Sequence, residues 1–410
     1  MASSSRNRSN SPSRGLGGKN RACCLGGSKV PVTKNIVPPI STSPSADYPK
    51  WSDIILANSM NPSNYATMLS IDARAPDPEM IQRAAECLIR GGLVAFPTET
   101  VYGLGGNAFD AAAVRRIFEV KQRPPSDPLI VHLASADELL QVASEVSPLA
   151  KVLAERFWPG PLTLLLPRRV SLPREVCAGL STVAVRVPSH PVAQALLQAS
   201  GIPIAAPSAN RFAHTSATMA AHVAADLGDR IDMILDAGPT HWGVESTILD
   251  PLQTPPVLLR PGGISREELE SVAGPVRVAS PGERITASPG RQPRHYAPNV
   301  RLVLCPGETP EEILASLHDN VSRISANDQR IGLLAVTEVC SRIDRKIIPF
   351  IIRDLGSMED LRQIARNLFA DLRELEAEGV DIILAHRFST EGLGAAINDR
   401  LSRAAQEPFF

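Results

Sequence analysis

The sequence predicts an α/β protein of two unequal domains, and three observations carry that prediction. Apolar runs of strand length alternate with segments of helical periodicity, which is the pattern of a largely buried sheet flanked by helices. A chain of 410 residues is long for one domain and suits two. A polar stretch at 276–300, rich in Pro and Gly and without periodicity, divides the pattern into a large part and a small one.

The elements follow in order. Asp77-Pro78-Glu79 is a helix start, with a capping carboxylate and a proline in the first turn. Met80, Ile81, Ala84, Ala85, Leu88 and Ile89 then recur at helical spacing until Gly91-Gly92 stops them. Leu93–Phe96 reads as a buried strand and Ala111–Lys121 as a helix with Val114, Ile117 and Phe118 on one face. Strand-length runs follow at 129–133, 162–166, 183–187, 202–206, 233–235, 247–249 and 257–259. Helical stretches near 148–157, 191–199, 218–227 and 266–272 separate several of them, so the first domain spans 70–275. After the linker, strands at 302–304, 331–336 and 381–385 alternate with helices near 310–318 and 358–377. A terminal helix from about Ala395 completes a second α/β unit over 301–410.

Composition excludes several classes. With 43% hydrophobic and 21% charged residues the chain can bury a sizeable core. Residues 1–46 hold seven Lys or Arg and no acid, so the rest of the chain is net acidic although the whole is at −1. An acidic body argues against nucleic-acid binding by bulk electrostatics. No apolar run approaches the length of a membrane span, so no membrane partner is expected. Cysteines 23, 24, 87, 177, 305 and 340 form no CxxC pair, which removes a zinc ribbon and suggests a reducing compartment. Residues 1–68 read as a disordered extension. Its first 46 residues are Ser- and Arg-rich, the composition of a mitochondrial or plastid transit peptide, with a plain tail as the alternative.

Common catalytic signatures are missing. There is no phosphate loop of the G-x-x-x-x-G-K-[ST] type, no G-x-S-x-G elbow, and no pair of histidines at i, i+4 beside an acid. Gly103-Leu-Gly105-Gly-Asn-Ala108 fits a loose dinucleotide fingerprint, a pattern that Gly/Ala-rich turns often match. What stands out is polar chemistry at the ends of strands and helices, where open α/β sheets bind ligands. Pro97-Thr98-Glu99-Thr100-Val101-Tyr102-Gly103-Leu104-Gly105 follows a buried strand, and Ala206-Pro207-Ser208-Ala209-Asn210 follows another. Lys121-Gln122-Arg123-Pro124 ends a helix and leads to Asp127-Pro-Leu-Ile-Val-His132. Arg186 and Arg260 each end a strand. Any one of these is compatible with surface solvation; together they describe a cleft of cations and hydroxyls suited to phosphate and a small carboxylate.

These segments, with V-E-S-T at 244–247 and L-R-P-G at 259–262, resemble the YrdC-type domain of threonylcarbamoyl-AMP synthases. H-Y-A-P at 295–298 and G-L-G-A-A-I-N-D-R-L-S-R-A-A at 392–405 resemble the longer, Sua-type members with a Rossmann-like C-terminal domain. The resemblance implies a YrdC-like twisted mixed sheet, joined by the linker to the small Rossmann-like domain, the linker forming a lid. It implies a nucleotidyltransferase that makes threonylcarbamoyl-AMP and pyrophosphate from L-threonine, bicarbonate and ATP with Mg2+. It also implies a downstream tRNA threonylcarbamoyl-transferase complex and, in the family, a concave basic face that could take tRNA or double-stranded RNA weakly.

Carried over by motif, the threonine site would use Thr100, His132, Arg186, Ala206 and Ser246. The ATP site would use Lys121, Arg123, Asp127, Thr182, Ser208, Asn210, Ser216, Arg260 and Tyr296, with Lys121 and Arg123 as the catalytic charges. Asp127 stands where many members have Asn, and the linker reads S-P-G-R-Q-P-R-H-Y where S-P-G-M-K-Y-R-H-Y is commoner. Two rivals remain at this point. An RNA-binding module conflicts with the acidic body and the 4% aromatic content. A carbamoyl-transfer relative of the hydrogenase-maturation kind would carry acylphosphatase and zinc-finger regions, which the sequence does not show.

Overall fold

The computed structural model describes residues 65–280, 283, 289–290, 294–324, 329–343 and 351–405. The targeting segment expected at 1–46 lies outside them. The extension expected to reach 68 gives way earlier: Thr67–Ser70 is a strand, β1, paired in parallel with Met233–Asp236. Four residues at a sheet edge are too few to show a period.

An eleven-stranded mixed sheet forms the first domain. Its strands are β1, β2 (Val94–Pro97), β3 (Tyr102–Asn107), β4 (Ile130–His132), β5 (Leu162–Pro167) and β6 (Thr182–Arg186). β7 (Ile204–Ala205), β8 (Met233–Asp236), β9 (Thr247–Asp250), β10 (Val257–Arg260) and β11 (Arg277–Val278) complete it. The spatial order is β1-β8-β2-β3-β7-β4-β6-β5-β9-β10-β11. Two strands depart from the sequence reading. β3 is absent from the sequence reading, since three of its six residues are glycine and show no strand alternation, yet it pairs antiparallel with β2 and β7. β11 falls in the expected linker and adds in parallel to β10.

Alternation along β2 divides the core between the two faces of the sheet. Leu93 and Ala95 pack with Val114, Ile117, Leu153 and Val223 from helices Ala111–Lys121, Pro148–Phe157 and Ala220–Leu227. Val94 and Phe96 pack on the opposite side with Leu88, Val192 and Leu196 from helices Pro78–Ile89 and Pro191–Ser200. Asp77 caps the first helix as its sequence predicts, accepting from the N–H groups of Glu79 and Met80. The glycines of β3 serve this packing. A Cβ on Gly105 would stand 2.8 Å from Ile204 Cγ2 and from Phe96 Cε1. The dinucleotide fingerprint at 103–108 is therefore a strand made of glycine for close contact, not a phosphate turn.

The second sheet is parallel, in the order β12-β15-β13-β14, with β12 at Arg301–Cys305, β13 at Ile331–Ala335, β14 at Ile351–Asp354 and β15 at Ile382–His386. β14 is absent from the sequence reading; its residues are all partly exposed and show no alternation. Helices Pro310–Ile324, Leu361–Ala377 and Gly392–Ala404 cover this sheet, and the first of them runs six residues past its expected end. Val244, Tyr296 and Ala297 share the core of this second domain, so the chain segments around the cleft described below also belong to its packing.

Buried charge joins the two domains. Arg373 on the Leu361–Ala377 helix pairs with Asp226 at 2.7 Å and donates to Thr215 O at 2.5 Å. His214 lies between Asp226 (3.1 Å) and Glu376 (3.0 Å). Burial pushes the imidazole down, but its hydrogen bonds to the two carboxylates outweigh burial and hold it above its ordinary value.

Two measurements test these contacts. Gly105→Ala is expected to cost about 1–3 kcal/mol in denaturant unfolding, because the added methyl overpacks the core. A raised histidine contributes stability in full below the unfolded value near 6.5 and loses it as pH rises through the folded one. The melting temperature of His214→Gln should therefore fall short of wild type at pH 6, and the gap should close toward pH 9.

Candidate active site

One cleft gathers residues from both halves of the large sheet. It is lined by Thr98, Thr100, Arg123, His132, Arg186, Ala206, Ser208, Glu245, Ser246, Arg260 and Tyr296, among others. Arg123, Arg186 and Ser208, 63 and 22 residues apart along the chain, thus face one space.

The turn between β2 and β3 builds the first wall. Thr98 Oγ1 donates to Val101 O at 2.7 Å and accepts from the N–H groups of Thr100 and Val101, closing a tight turn through its own side chain. That turn aims Thr100 and Glu99 at Arg186, which ends β6. Arg186 Nη1 donates to Thr100 Oγ1 at 2.9 Å, Nη2 meets Glu99 Oε1 at 2.7 Å, and Nε donates to Gly160 O at 3.2 Å. The Nη2 contact is an ion pair without a formed hydrogen bond, so the five-donor fork of Arg186 is only partly satisfied among the described residues. His132, at the end of β4, stands beside it. Burial and the neighbouring Arg186 push its imidazole down to about 3, so it is neutral at physiological pH. Its Nδ1 is buried without a hydrogen-bond partner among the described residues.

The second wall follows the Ala111–Lys121 helix. Gln122 ends it in the left-handed conformation, at φ 54°, and this sharp exit sends Arg123 into the cleft. Arg123 donates to Asp127 O (3.1 Å) and Pro128 O (2.8 Å), and it pairs with the Asp127 carboxylate at 3.0 Å. Burial raises the Asp127 carboxyl against the pull of Arg123. Lys121 takes a different course from the one expected. Its ammonium donates to Ser208 O at 2.6 Å and to Asn210 O, is fully buried, and does not line the cleft. It ties down the Ala206–Asn210 turn, which Leu104 N–H to Pro207 O and Ala209 N–H to Tyr102 O (both 2.8 Å) also hold against β3.

The third wall is the strand pair β9–β10. Ser246 Oγ shares a hydrogen bond of 2.8 Å with Thr163 Oγ1. Arg260 donates to Ser246 O through Nε (3.1 Å) and Nη2 (2.9 Å), and its Nη1 lies 3.4 Å from Tyr296 Oη and 3.3 Å from Pro289 O. Pro289, Gly290, His295 and Tyr296 bring the segment expected as a lid onto the cleft, although residues 281–282, 284–288 and 291–293 of that segment lie outside the described ones.

Other expected residues stand back from the opening. Asp127 faces Arg123, Asn210 donates to Arg211 O and His214 O, and Ser216 donates to Glu245. Thr182 begins β6 and Arg186 ends it, so at about 3.3 Å per residue they are roughly 13 Å apart, and Thr182 does not line the cleft. Sequence reasoning missed Glu99 and Glu245 as site residues. Both lie inside motifs it singled out, and the available signal was an acid within one residue of a cleft hydroxyl.

Among the described residues no group of three or more His, Cys, Asp and Glu could hold a metal ion. The acids nearest the cleft are each engaged by a guanidinium: Glu99 by Arg186, Asp127 by Arg123 and Glu245 by Arg400. The protein residues therefore do not form a magnesium cage.

With this geometry in place, comparison with known proteins is direct. Residues 86–262 match the Sua5/YciO/YrdC family, described as telomere recombination, and residues 264–406 match the C-terminal domain of threonylcarbamoyl-AMP synthase. The threonylcarbamoyl-AMP synthase of Pyrococcus abyssi is 43% identical over 329 residues, 79% of this chain and 94% of the relative. That of Bacillus subtilis is 44% identical over 333 residues, 80% of this chain and 93% of the relative. The crystal structure of P. abyssi Sua5 complexed with L-threonine superposes with a TM-score of 0.78 at 41% identity, covering 83% of this chain and 98% of that one. The chain belongs to the Sua5-type threonylcarbamoyl-AMP synthase family, with a YrdC domain followed by a Sua5 C-terminal domain.

Proposed function

We propose that this protein is an L-threonylcarbamoyladenylate synthase, joining L-threonine, bicarbonate and ATP into threonylcarbamoyl-AMP with release of pyrophosphate. The observation that carries the reading is one cleft lined by Arg186, whose fork is only partly satisfied, together with Arg123 and Arg260. One arginine suits the carboxylate of an amino acid and the other two suit phosphate.

On the amino-acid side, Arg186 takes the carboxylate, while Thr100, Ser246 and the Ala206 backbone complete the pocket. His132, held neutral, offers a hydrogen bond without adding a competing charge. That the P. abyssi relative was crystallised in complex with L-threonine supports L-threonine as the amino acid. On the nucleotide side, Arg123, Arg260, Ser208 and Tyr296 face the polyphosphate. Lys121, Asp127, Asn210 and Ser216 act from behind, by fixing the segments that carry those groups. Lys121 is thus a positioning residue in this reading. Thr182 would meet only the far end of a nucleotide.

The chemistry asks little covalent help from the protein. The threonine amine takes the carboxyl carbon of bicarbonate with loss of water to give a carbamate, a carbamate oxygen attacks the α-phosphorus, and the bond to the β-phosphate breaks to release pyrophosphate. The site holds the reactants in line, neutralises the non-bridging oxygens and keeps water from the mixed anhydride. Magnesium would accompany ATP as the counter-ion of its phosphates, held by the substrate rather than by a cluster of side chains. The product would pass to a tRNA threonylcarbamoyl-transferase complex. The acid-free, Arg- and Ser-rich residues 1–46 support delivery to a mitochondrion or plastid.

Pyrophosphate release is expected to require ATP, bicarbonate and L-threonine together; release indifferent to threonine contradicts the reading. Arg123→Lys keeps a cation beside Asp127 but loses the planar fork. It should lower kcat/KM by about 10²-fold with an unchanged circular-dichroism spectrum. Residues 1–68 fused to a fluorescent reporter should direct it to an organelle, whereas diffuse fluorescence would remove the targeting proposal.

A further inference from the structure

Arg400 lies on the Gly392–Ala404 helix of the C-terminal domain, within a motif to which the reaction so far gives no task. Its side chain is 0% exposed. Around it stand Glu245 Oε2, 2.6 Å from Nε, and Asp399 Oδ2, 2.6 Å from Nη1. Nη2 donates to Pro261 O at 3.1 Å, and the guanidinium carbon lies 4.9 Å from the centre of the Tyr296 ring. Three of these four contacts belong to the catalytic domain or the linker, and two of them, Glu245 and Tyr296, line the cleft. The other oxygen of Glu245 receives the Ser216 hydroxyl.

Domain adhesion alone does not ask for this arrangement. Desolvating an arginine costs several kcal/mol, and well-packed apolar side chains hold an interface equally well. What an arginine adds is direction. Its fork fixes Glu245 and the Pro261 carbonyl at a set distance from each other, and its face supports the Tyr296 ring. Arg260, which meets the nucleotide side of the cleft, lies one residue from Pro261, so its backbone is fixed with it.

We infer that Arg400 is a positioning residue for the reaction: from the C-terminal domain it sets the nucleotide-side wall of the cleft through Glu245, Pro261 and Tyr296. The inference rests on the functional reading above, and it makes the C-terminal domain part of the synthetic apparatus.

The test is steady-state pyrophosphate release by the full chain, with ATP and L-threonine varied separately, for Arg400→Met, Arg400→Lys, Glu245→Gln and Arg400→Met/Glu245→Gln. Arg400→Met should raise KM for ATP by about tenfold or more, equivalent to about 1.4 kcal/mol, and leave KM for L-threonine within about twofold. Arg400→Lys, which keeps a cation beside Glu245, should recover part of that loss. The double variant should be no worse than Arg400→Met, because the two residues act as one unit. If Arg400→Met does not fold, Glu245→Gln, which is isosteric, should show the same rise for ATP. A folded Arg400→Met or Glu245→Gln with wild-type KM for ATP overturns the inference, as does an equal loss toward both substrates. A wild-type protein that consumes ATP without need of threonine fails the functional reading instead, and the inference falls with it.

Discussion

A guanidinium drawn out of water must be matched before it is useful, and that requirement organises the cleft wall. Arg123, Arg186, Arg260 and Arg400 are all buried. Each would be prohibitively costly alone, and each has a partner: Asp127, Glu99, the Ser246 carbonyl and Glu245, the last two consecutive in the chain. The Thr98 turn exists to present Glu99 and Thr100 to Arg186. The left-handed Gln122 delivers Arg123 to Asp127. For Arg123 and Arg186 the pairing uses only part of the fork, whereas Arg260 commits Nε, Nη1 and Nη2 to Ser246, Pro289 and Tyr296, and Arg400 is fully buried against Glu245, Asp399 and Pro261.

The mixed sheet makes this convergence possible. β3 runs through the middle of the order beside β2 and β7, and its glycines allow the close approach that brings the Ala206–Asn210 turn alongside. Lys121 then fastens that turn by its carbonyls rather than facing the opening. Desolvation and the nearby Arg123 push the buried Lys121 amine well below its ordinary value, against the pull of Asp226 and Asp127. The C-terminal domain contributes in the same way, through ionic contacts across the junction by Arg373, His214 and Arg400.

Much of this was legible in the sequence, for identifiable reasons. Long amphipathic helices such as Pro78–Ile89 and Ala111–Lys121 announce themselves by period and cap. Arg186 and Arg260 were legible because each ends an apolar run, where a charged side chain has only the sheet edge to reach. Ser208 was legible for a similar reason. β3, β11 and β14 were not, because glycine content, brevity or partial exposure removes the alternation on which a strand is recognised. The direction of Lys121 was also hidden: a lysine in a last helical turn reads alike whether it meets solvent, phosphate or carbonyl. Glu99 and Glu245 needed coordinates, since their partners Arg186 and Arg400 are far away in sequence and only the fold brings them together.

The central claim is that one cleft holds an amino acid and a nucleotide side by side. The most direct measurement is a crystal structure of the protein with L-threonine and a non-hydrolysable ATP analogue. Side-by-side binding requires the threonine carboxylate on the Arg186 guanidinium and the triphosphate between Arg123 and Arg260. Density for either ligand in a separate region of the molecule, with these arginines uncontacted, would contradict it.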